Sequence, residues 1–239
     1  MRVDTRRFTT VTHHLSIAGT DVELRADRAL FIRASRTLIV ADVHWGKAAA
    51  FRALGVPVPH GTTRTGLDRL NATITDSGAE QLLILGDLLH ARAGMQPGTI
   101  EALDRWRATR RELAITLVRG NHDYHAGDPP ASLQIVCVDA PLHLGPFALY
   151  HHPCDDPSGY VLAGHVHPVV QLRGRGRQKL TLPCFAFGAR GGLLPAFGEF
   201  TGGSVIDQRD YVRTFVIAGD TVVSLDPSET IQLPYVTPG

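Results

Sequence analysis

Cysteine is scarce in this sequence, and its spacing excludes two ways of stabilising a small protein. Only three of the 239 residues are cysteines, Cys137, Cys154 and Cys184, and they form no Cys-x-x-Cys pair. An odd, widely spaced set argues against a disulfide framework and against a cysteine-based zinc knuckle. We therefore expect the chain to work in a reducing compartment, the cytoplasm.

Long apolar runs and a strong charge excess are also absent from the sequence. No stretch approaches the roughly 18 to 20 apolar residues of a membrane span, and the first ten residues, MRVDTRRFTT, lack the apolar segment of a secretory signal. The net charge of +1 does not by itself indicate a nucleic-acid binder. With 44% hydrophobic residues the composition is that of an ordinary folded protein, and we expect one domain over residues 1–239.

Apolar runs and periodic segments predict alternating strands and helices in the first half of the chain. Strands are expected at residues 37–41, 81–85 and 113–118, because each is a short apolar run bounded by polar or glycine residues. Helices are expected at residues 62–76 and 99–111, where apolar residues recur at helical spacing.

The second half of the sequence reads as mostly β-structure. Strands are predicted at residues 132–138, 147–150, 160–163, 169–172, 179–182, 212–217 and 221–225. Together the two halves predict an α/β fold, a four-layer α/β/β/α sandwich of two mixed sheets. The glycine-rich segment 183–203 is interpreted as a packed irregular loop.

Residues of metal-ligand type follow five of the predicted strands. The five motifs are Asp42-x-His44, Gly86-Asp87, Gly120-Asn121-His122-Asp123, His151-His152 and Gly164-His165-x-His167. Sites in open sheets form beyond the carboxyl ends of the strands, so we expect these side chains to converge. Each motif alone has low specificity, whereas the ordered series at strand ends is highly specific.

The spacing and the donor types predict a pair of metal ions. Residues two apart in an extended segment point the same way, so Asp42 and His44 can share one ion, and His165 and His167 can serve neighbouring ions. A mixed Asp, Asn and His set suits Mn²⁺, Fe²⁺ or Zn²⁺ better than an all-oxygen Mg²⁺ site. Two ions held about 3.5 to 4 Å apart need a bridging ligand, for which Asp87 is the natural candidate.

This ordered series of motifs resembles that of the calcineurin-like metallophosphoesterases. Five further segments are similar to one subgroup, the ligase-associated DNA damage response endonucleases. They are ADVHWGKA at 41–48, FRALGVPVP at 51–59, GDLLHAR at 86–92, RGRGRQ at 173–178 and LPCF at 182–185. The resemblance runs from about Leu38 to Gly203 and so covers most of the chain.

The resemblance implies a function and a set of metal ligands. It implies a cytoplasmic Mn²⁺-dependent phosphodiesterase with DNA endonuclease activity in bacterial DNA repair, beside a helicase, an exonuclease and an ATP-dependent ligase. We expect the DNA to be single-stranded or structured. The implied ligands of one ion are Asp42, His44, Asp87 and His167. Those of the second ion are Asp87, Asn121, His151 and His165.

Three details of the implied site remain open in the sequence. Successive strand residues face opposite sides, so only one of His151 and His152 should reach the metal, and the position directly after the apolar run favours His151. His122 is expected near the substrate phosphate, where it would stabilise charge or protonate the leaving oxygen. Asp123 is expected to accept a hydrogen bond from His122 and so fix its tautomer.

The expected reaction is hydrolysis of a phosphodiester by a metal-bridging hydroxide. Two divalent ions neutralise the nonbridging oxygens and lower the pKa of the bridging water, which attacks phosphorus in line. Asn121 is expected both to bind metal through its carbonyl and to donate to a phosphate oxygen through its amide. Positioning and electrostatic stabilisation would supply most of the rate, with His122 assisting departure of the leaving group.

Several cations are candidates for contacts with the substrate. Lys47, Arg52 and Arg92 follow the first two motifs closely and could meet a phosphate. Arg173, Arg175 and Arg177 lie in a predicted hairpin tip near the metals, where alternate residues could follow a DNA backbone. For each of these groups a solvated surface cation is the alternative interpretation. His90, three residues after Asp87, is interpreted as structural.

Two other functions remain open from the sequence. The same site could serve a small-molecule enzyme, namely a cyclic-nucleotide or nucleotide phosphodiesterase or a phosphatase. The chain could instead be a non-catalytic adaptor that docks a helicase or ligase. A complete ligand set together with His122 argues against the adaptor, because a scaffold does not need a residue beside the phosphate.

Overall fold

The computed structural model describes residues 12–58, 61–173, 178–199 and 201–225. The α-helices are α1 Lys47–Ala53, α2 Thr62–Ser77, α3 Pro97–Ala108 and α4 Asn121–Ala126. The first seven strands are β1 His13–Ile17, β2 Thr20–Arg25, β3 Ala29–Ile32, β4 Thr37–Ala41, β5 Gln81–Leu85, β6 Ala114–Val118 and β7 Ile135–Val138. The others are β8 Leu142–Leu144, β9 Phe147–Tyr150, β10 Tyr160–Ala163, β11 Pro168–Arg173, β12 Lys179–Phe187, β13 Gly191–Leu193, β14 Ser204–Val205, β15 Arg213–Ala218 and β16 Thr221–Ser224.

These strands form two mixed sheets. The first sheet has the order β1-β2-β3-β4-β5-β6-β7, antiparallel from β1 to β4 and parallel from β4 to β7. The second sheet has the order β14-β11-β12-β13-β10-β9-β8, and β15 joins it by pairing with β12 and with β16. The predicted α/β class with two mixed sheets is confirmed.

Strand β4 shows how the layers are held together. Its five residues are all buried, as expected for a parallel strand covered on both faces. Leu38 and Val40 pack into the core that contains the apolar side chains of α2 and α3. Ile39 and Ala41 point the other way, into the core between the two sheets, which also contains Phe147. Alternate side chains of β4 therefore enter two different cores, one between the helices and the first sheet and one between the two sheets.

The second half of the described chain is mostly β-structure, as predicted. Within the described ranges, the chain after α4 forms 3-10 turns at Ala131–Leu133 and Gln208–Asp210 but no α-helix. No helix among the described residues has the length and apolar character needed to cross a bilayer. The segment 183–203 is also more regular than predicted, because it contains the end of β12 and the whole of β13.

Candidate metal centre

The five motifs meet where the two sheets present the carboxyl ends of their strands. Asp42 follows β4, Asp87 follows β5 and Asn121 follows β6 in the first sheet, whereas His151 follows β9 and His165 follows β10 in the second. The structure therefore brings together the side chains that the sequence placed at strand ends. They form two adjoining groups.

The first group contains Asp42, His44 and His167. One ligand atom from each lies within 4.8 Å of the others. Nε2 of His44 is 3.5 Å from Nε2 of His167, and the latter is 3.3 Å from Oδ1 of Asp42. Asp42 and His44 are buried, so this group lies on the inner side of the site.

The second group is centred on His151. Its Nε2 lies 3.0 Å from Oδ1 of Asn121, 3.2 Å from Nδ1 of His165 and 3.4 Å from Oδ1 of Asp87. His151 is buried, while His165 is exposed, so this group faces the opening of the site.

Asp87 lies between the two groups. Its Oδ2 is 3.8 Å from Nε2 of His44, and its Oδ1 is 3.4 Å from Nε2 of His151. The Oδ1 atom also accepts a hydrogen bond from the backbone N–H of His122 at 3.0 Å, which fixes the carboxylate plane. Each oxygen of Asp87 therefore faces a different histidine group.

The geometry fits divalent metal ions. When two nitrogens bind the same ion at about 2.1 Å as neighbouring ligands, they lie roughly 3 Å apart. The nitrogen pairs His44–His167 and His151–His165, at 3.5 and 3.2 Å, have nearly this separation. Imidazole nitrogens pointed at one another and at buried carboxylates are the donor set of a borderline divalent ion.

Backbone carbonyls set the tautomers of two of these histidines. Nδ1 of His151 donates to the carbonyl of Leu85 at 3.0 Å, and Nδ1 of His167 donates to that of Thr201 at 3.2 Å. A carbonyl oxygen only accepts, so the proton resides on Nδ1 and the lone pair on Nε2 points into the site. Both rings are thereby oriented for metal binding.

His151 and His152 differ in burial and in contacts. His151 is 1% exposed and contacts Asp87 and Asn121. His152 is exposed, and its ring lies 3.9 Å from that of His165. Nitrogens of His151, His152 and His165 also lie within 4.8 Å of one another. The geometry favours His151 as the ligand and places His152 at the rim.

The backbone at the ligand positions is unusual. Five of the nine non-glycine residues with positive φ in the described part of the chain are Asp42, His44, Asp87, His165 and His167. Residues in this region cost about 1 to 3 kcal/mol each and cluster at functional sites. The sequence argument that Asp42 and His44 point the same way in an extended strand was therefore wrong. Left-handed turns, and not strand alternation, bring these side chains together.

Two motif glycines are required by close packing. A Cβ at Gly86 would lie 2.2 Å from Nδ1 of His151, and one at Gly120 would lie 2.4 Å from Oδ1 of Asp87. Gly86 also has a φ of +75°, which side chains disfavour. These glycines let the ends of β5 and β6 approach the ligands directly.

Burial favours the neutral form of the two buried histidines, His44 and His151. It lowers the pKa of His44 to about 2 and that of His151 to about 4. Burial likewise raises the pKa of Asp87. For His167 burial is outweighed by the hydrogen bond and the charge of Asp42, which raise its pKa. Neutral imidazoles beside carboxylates are prepared to bind cations.

The predicted hydrogen bond between Asp123 and His122 was wrong. Asp123 is buried at the start of α4, and its oxygens accept from the backbone N–H groups of Gly120 and Leu89 at 2.9 and 3.1 Å. Nδ1 of His122 instead donates to the carbonyl of His90 at 2.8 Å. Asp123 caps a helix because the first N–H groups of a helix lack internal partners.

His90 is a site residue that the sequence analysis interpreted as structural only. Its ring stacks on that of His122, with centroids 4.9 Å apart and planes 24° from parallel. It also meets His44 edge-on, with a centroid distance of 5.4 Å. Nitrogens of these three histidines lie within 4.8 Å of one another. The position of His90, three residues after Asp87, was the feature of the sequence that could have identified it as a site residue.

The predicted substrate cations lie at different distances from the centre. Lys47 is the first residue of α1. Burial lowers its pKa, and the charges of Asp87 and Asp42 partly oppose that shift. Arg52 lies further along α1, where Nη1 donates to the carbonyl of Val58 at 3.4 Å. Arg92 is exposed in the 3-10 turn Arg92–Gly94. Contact of these three with substrate remains a prediction.

Of the three arginines predicted at the hairpin tip, Arg173 lies within the described residues, at the end of β11. Arg173 pairs with Lys179 at the outer end of the β11–β12 hairpin. Arg173 lies five positions after Pro168, so the extended strand between them spans about 17 Å at 3.3 Å per residue. Arg175 and Arg177 lie outside the described residues. A substrate that meets both the metal centre and Arg173 must therefore be long.

The chain beyond β13 supports the centre through its backbone. The N–H groups of Phe197 and Gly198 donate to the carbonyls of Ala41 and Asp42 at 2.7 and 2.9 Å. Thr201 offers the carbonyl that binds His167. This part of the glycine-rich segment is packed, as predicted, but it also positions two candidate ligands.

Comparisons with known proteins agree with this geometry. Residues 35–135 match the family described as calcineurin-like phosphoesterase. The structure of a nuclease, MPE, from Pseudomonas putida is similar, with 45% sequence identity, a TM-score of 0.80, and coverage of 90% of this chain and 100% of that chain. The chain belongs to the calcineurin-like phosphoesterase family and is a metal-dependent phosphoesterase.

Other comparisons add less. The E. coli phosphoesterase Yfce shares 17% identity at a TM-score of 0.36, over 77% of this chain and 88% of that chain. No curated protein matches the sequence. The match to the Pseudomonas nuclease is consistent with the narrower resemblance to ligase-associated DNA damage response endonucleases, of the PdeM type.

Proposed function

We propose that the protein is a binuclear-metal phosphodiesterase that cleaves DNA as an endonuclease. In this reaction the protein uses two divalent ions, with Mn²⁺ as the physiological metal, bound by the two ligand sets that the resemblance implies. We also propose that residues 1–239 form one domain and that the protein acts in bacterial DNA repair in the cytoplasm, beside a helicase, an exonuclease and an ATP-dependent ligase.

The position of Asp87 is the observation that carries the binuclear proposal. A bridging carboxylate must present one oxygen to each ion, and the oxygens of Asp87 face His44 and His151 separately. Each side has further donors: Asp42 and His167 on one, Asn121 and His165 on the other. One ion would leave half of these donors without a cation.

The residues of the chain have defined roles in this reaction. Divalent ions bound here would neutralise the phosphate oxygens and activate water as the nucleophile. Nε2 of His122 is free to face the substrate, since its Nδ1 donates to the carbonyl of His90. His122 can therefore hold a proton for the leaving oxygen, with its ring kept in place by His90. Lys47 adds positive charge beside the phosphate.

Two observations favour a nucleic acid over a small substrate. The relative with 45% identity over the whole of its own chain is a nuclease. Arg173 ends β11, about 17 Å along the strand from its first residue, Pro168, which follows His167. A polymer can contact both the metal centre and Arg173, whereas a mononucleotide cannot.

A nicking assay with a matched variant tests the proposal. Incubated with Mn²⁺ and circular single-stranded DNA, the wild-type protein is expected to linearise the circle, and Asp87→Asn is expected to lose that activity. His143→Ala, altered at an exposed position on β8, is the control and should retain it. Turnover of a cyclic nucleotide without DNA cleavage would instead identify a small-molecule phosphodiesterase.

A further inference from the structure

A cavity adjoins the candidate metal centre on the side of α1 and α2. It encloses about 480 Å³ of empty space including its open mouth. Its wall includes His44, so it is continuous with the first ligand group. The remaining wall comes from Lys47 and Phe51 of α1, Gly66 of α2, and Phe197.

The cavity combines apolar and polar surfaces. Phe51, Val58 and Phe197 supply apolar wall, while Thr62 and Thr63 add hydroxyl groups. A planar group with polar edges is complementary to such a lining, because its faces meet apolar side chains and its edges meet hydrogen-bonding groups.

Lys47 brings a positive charge to the wall of the cavity. Its Nζ is 5.9 Å from the centroid of the Phe51 ring, which forms part of the cavity wall. The negative charges of Asp42 and Asp87 also act on the charge of Lys47. A ligand in the cavity would therefore have its anionic end beside Lys47 and toward the metal centre.

Arg69 makes one wall rigid. Its guanidinium lies 4.4 Å from the centroid of the Phe197 ring, and its Nη2 donates to the carbonyl of Phe197. Nη1 pairs with Glu199 at 3.4 Å. These contacts fix the Phe197 ring before any ligand binds, which lowers the ordering cost of binding.

Gly66 keeps the cavity open from the side of α2. It lies inside a sixteen-residue helix, where glycine is less favourable than alanine. A Cβ built at this position meets nothing within 4 Å, so a larger side chain there would project into free space. A substitution at Gly66 can thus fill the cavity without touching a candidate metal ligand.

We propose that this cavity binds an unstacked nucleobase of the nucleotide whose phosphate lies at the metal centre. The inference rests on the proposed function and adds a base subsite to it. The base is attached to the phosphate through one sugar, and the cavity shares His44 with the centre, so both can be held together. A paired base inside a duplex cannot enter, which gives a preference for single strands or distorted sites.

The test compares dinucleotides with and without a base. The substrates are a thymine dinucleotide and two versions in which the base is missing on the 5′ or the 3′ side, each assayed with Mn²⁺. Loss of one of the two bases is expected to lower kcat/KM of the wild-type protein by about 5- to 140-fold, the range of one base–aromatic contact. Equal kcat/KM for all three substrates would overturn the base subsite.

Variants locate the effect in the cavity. One of the two dinucleotides that lack a base is expected to be the poorer substrate of the wild-type protein. Gly66→Leu should lower kcat/KM for the intact dinucleotide to the value of that poorer substrate. It should leave kcat/KM for the poorer substrate unchanged. Gly98→Leu is the matched control, because Gly98 is also helical with nothing within 4 Å of its Cβ but lies outside this cavity. If Gly66→Leu does not fold, Phe51→Ala should reduce the same discrimination. Discrimination that persists in every folded variant would place the base elsewhere.

Other outcomes separate the two proposals. A wild-type protein that cleaves none of the substrates with Mn²⁺, Fe²⁺, Zn²⁺ or Mg²⁺ contradicts the proposed phosphodiesterase itself. If loss of a base lowers kcat/KM, the next comparison is between the dinucleotide and a longer single strand. A higher kcat/KM for the longer strand assigns the cavity to a polymer substrate. An unchanged value assigns it to small nucleotide esters.

Discussion

The backbone N–H of His165 donates to both carboxylate oxygens of Asp42, at 3.2 and 2.9 Å. The two residues are 123 positions apart and follow β4 of the first sheet and β10 of the second. This contact joins the sheets at the point where the candidate ligands collect. The centre therefore exists only when the two sheets are packed together, and metal binding should be coupled to folding.

Metal removal is expected to destabilise the protein. A cation that binds only the folded chain adds about 2.7 kcal/mol at a concentration 100 times its Kd. For a chain of this size that corresponds to a fall in Tm of roughly 5 to 10 °C on removal. Thermal unfolding with Mn²⁺ and after chelation measures the shift. Asp87→Ala should show no metal-dependent shift, and an equal Tm for the wild-type protein in both conditions contradicts the coupling.

Asp87→Asn tests the bridge directly. The change keeps the shape of the side chain but removes the charge that both ions would share. Loss of an outer partner of a ligand already costs about 10- to 100-fold in activity or affinity, so loss of a shared ligand should exceed 100-fold. Elemental analysis should also show fewer ions than the roughly two per chain expected of the wild-type protein. Retention of both ions and of activity would remove the bridging role.

His151→Ala and His152→Ala distinguish the two adjacent histidines. His151 is buried against Asp87 and Asn121, so its loss should lower activity by at least about 100-fold and reduce the bound metal. His152 is exposed at the rim, and its loss should change activity by less than about 10-fold. Steady-state kinetics and metal content check both. The reverse ranking would exchange their roles.

Much of the site could be predicted because its ligands follow apolar runs. The strand TLIVA is buried on both faces, so its end at Ala41 and the start of the first motif are visible in the sequence. The rule that strand carboxyl ends share one sheet edge then brings the motifs together. The sequence did not reveal the left-handed backbone at the ligands, because the same residues are also compatible with an extended chain.

The second strand was missed because its buried residues are not all apolar. Glu23 and Arg25 are buried in β2 and form an ion pair at 2.9 Å, so the strand lacks the apolar run of β4. Such a pair can be recognised only after folding. The support from residues beyond β13 also escapes prediction, since Phe197 acts through its N–H group, which every residue except proline possesses.

Gly86→Ala is expected to disrupt the centre by steric overlap. The new Cβ would lie 2.2 Å from the His151 ring, in addition to the cost of about 1 to 2 kcal/mol for a side chain at positive φ. Gly19→Ala is the matched control, with a φ of +77° and nothing within 4 Å. Both variants should lose similar stability from the backbone term, but only Gly86→Ala should lose metal. Equal metal content in the two variants would mean that the His151 ring can move aside.

The stacked pair of His90 and His122 gives the last prediction. His90→Ala removes the ring at 4.9 Å that holds His122, but it keeps the backbone carbonyl that binds Nδ1. We expect kcat to fall by about 10-fold, as for a misplaced general acid, with unchanged metal content and KM. His90→Phe should restore most of the rate, because a phenyl ring can stack but cannot bind metal. If His90→Phe is as slow as His90→Ala and both lose an ion, His90 acts as a ligand and not as a support for His122.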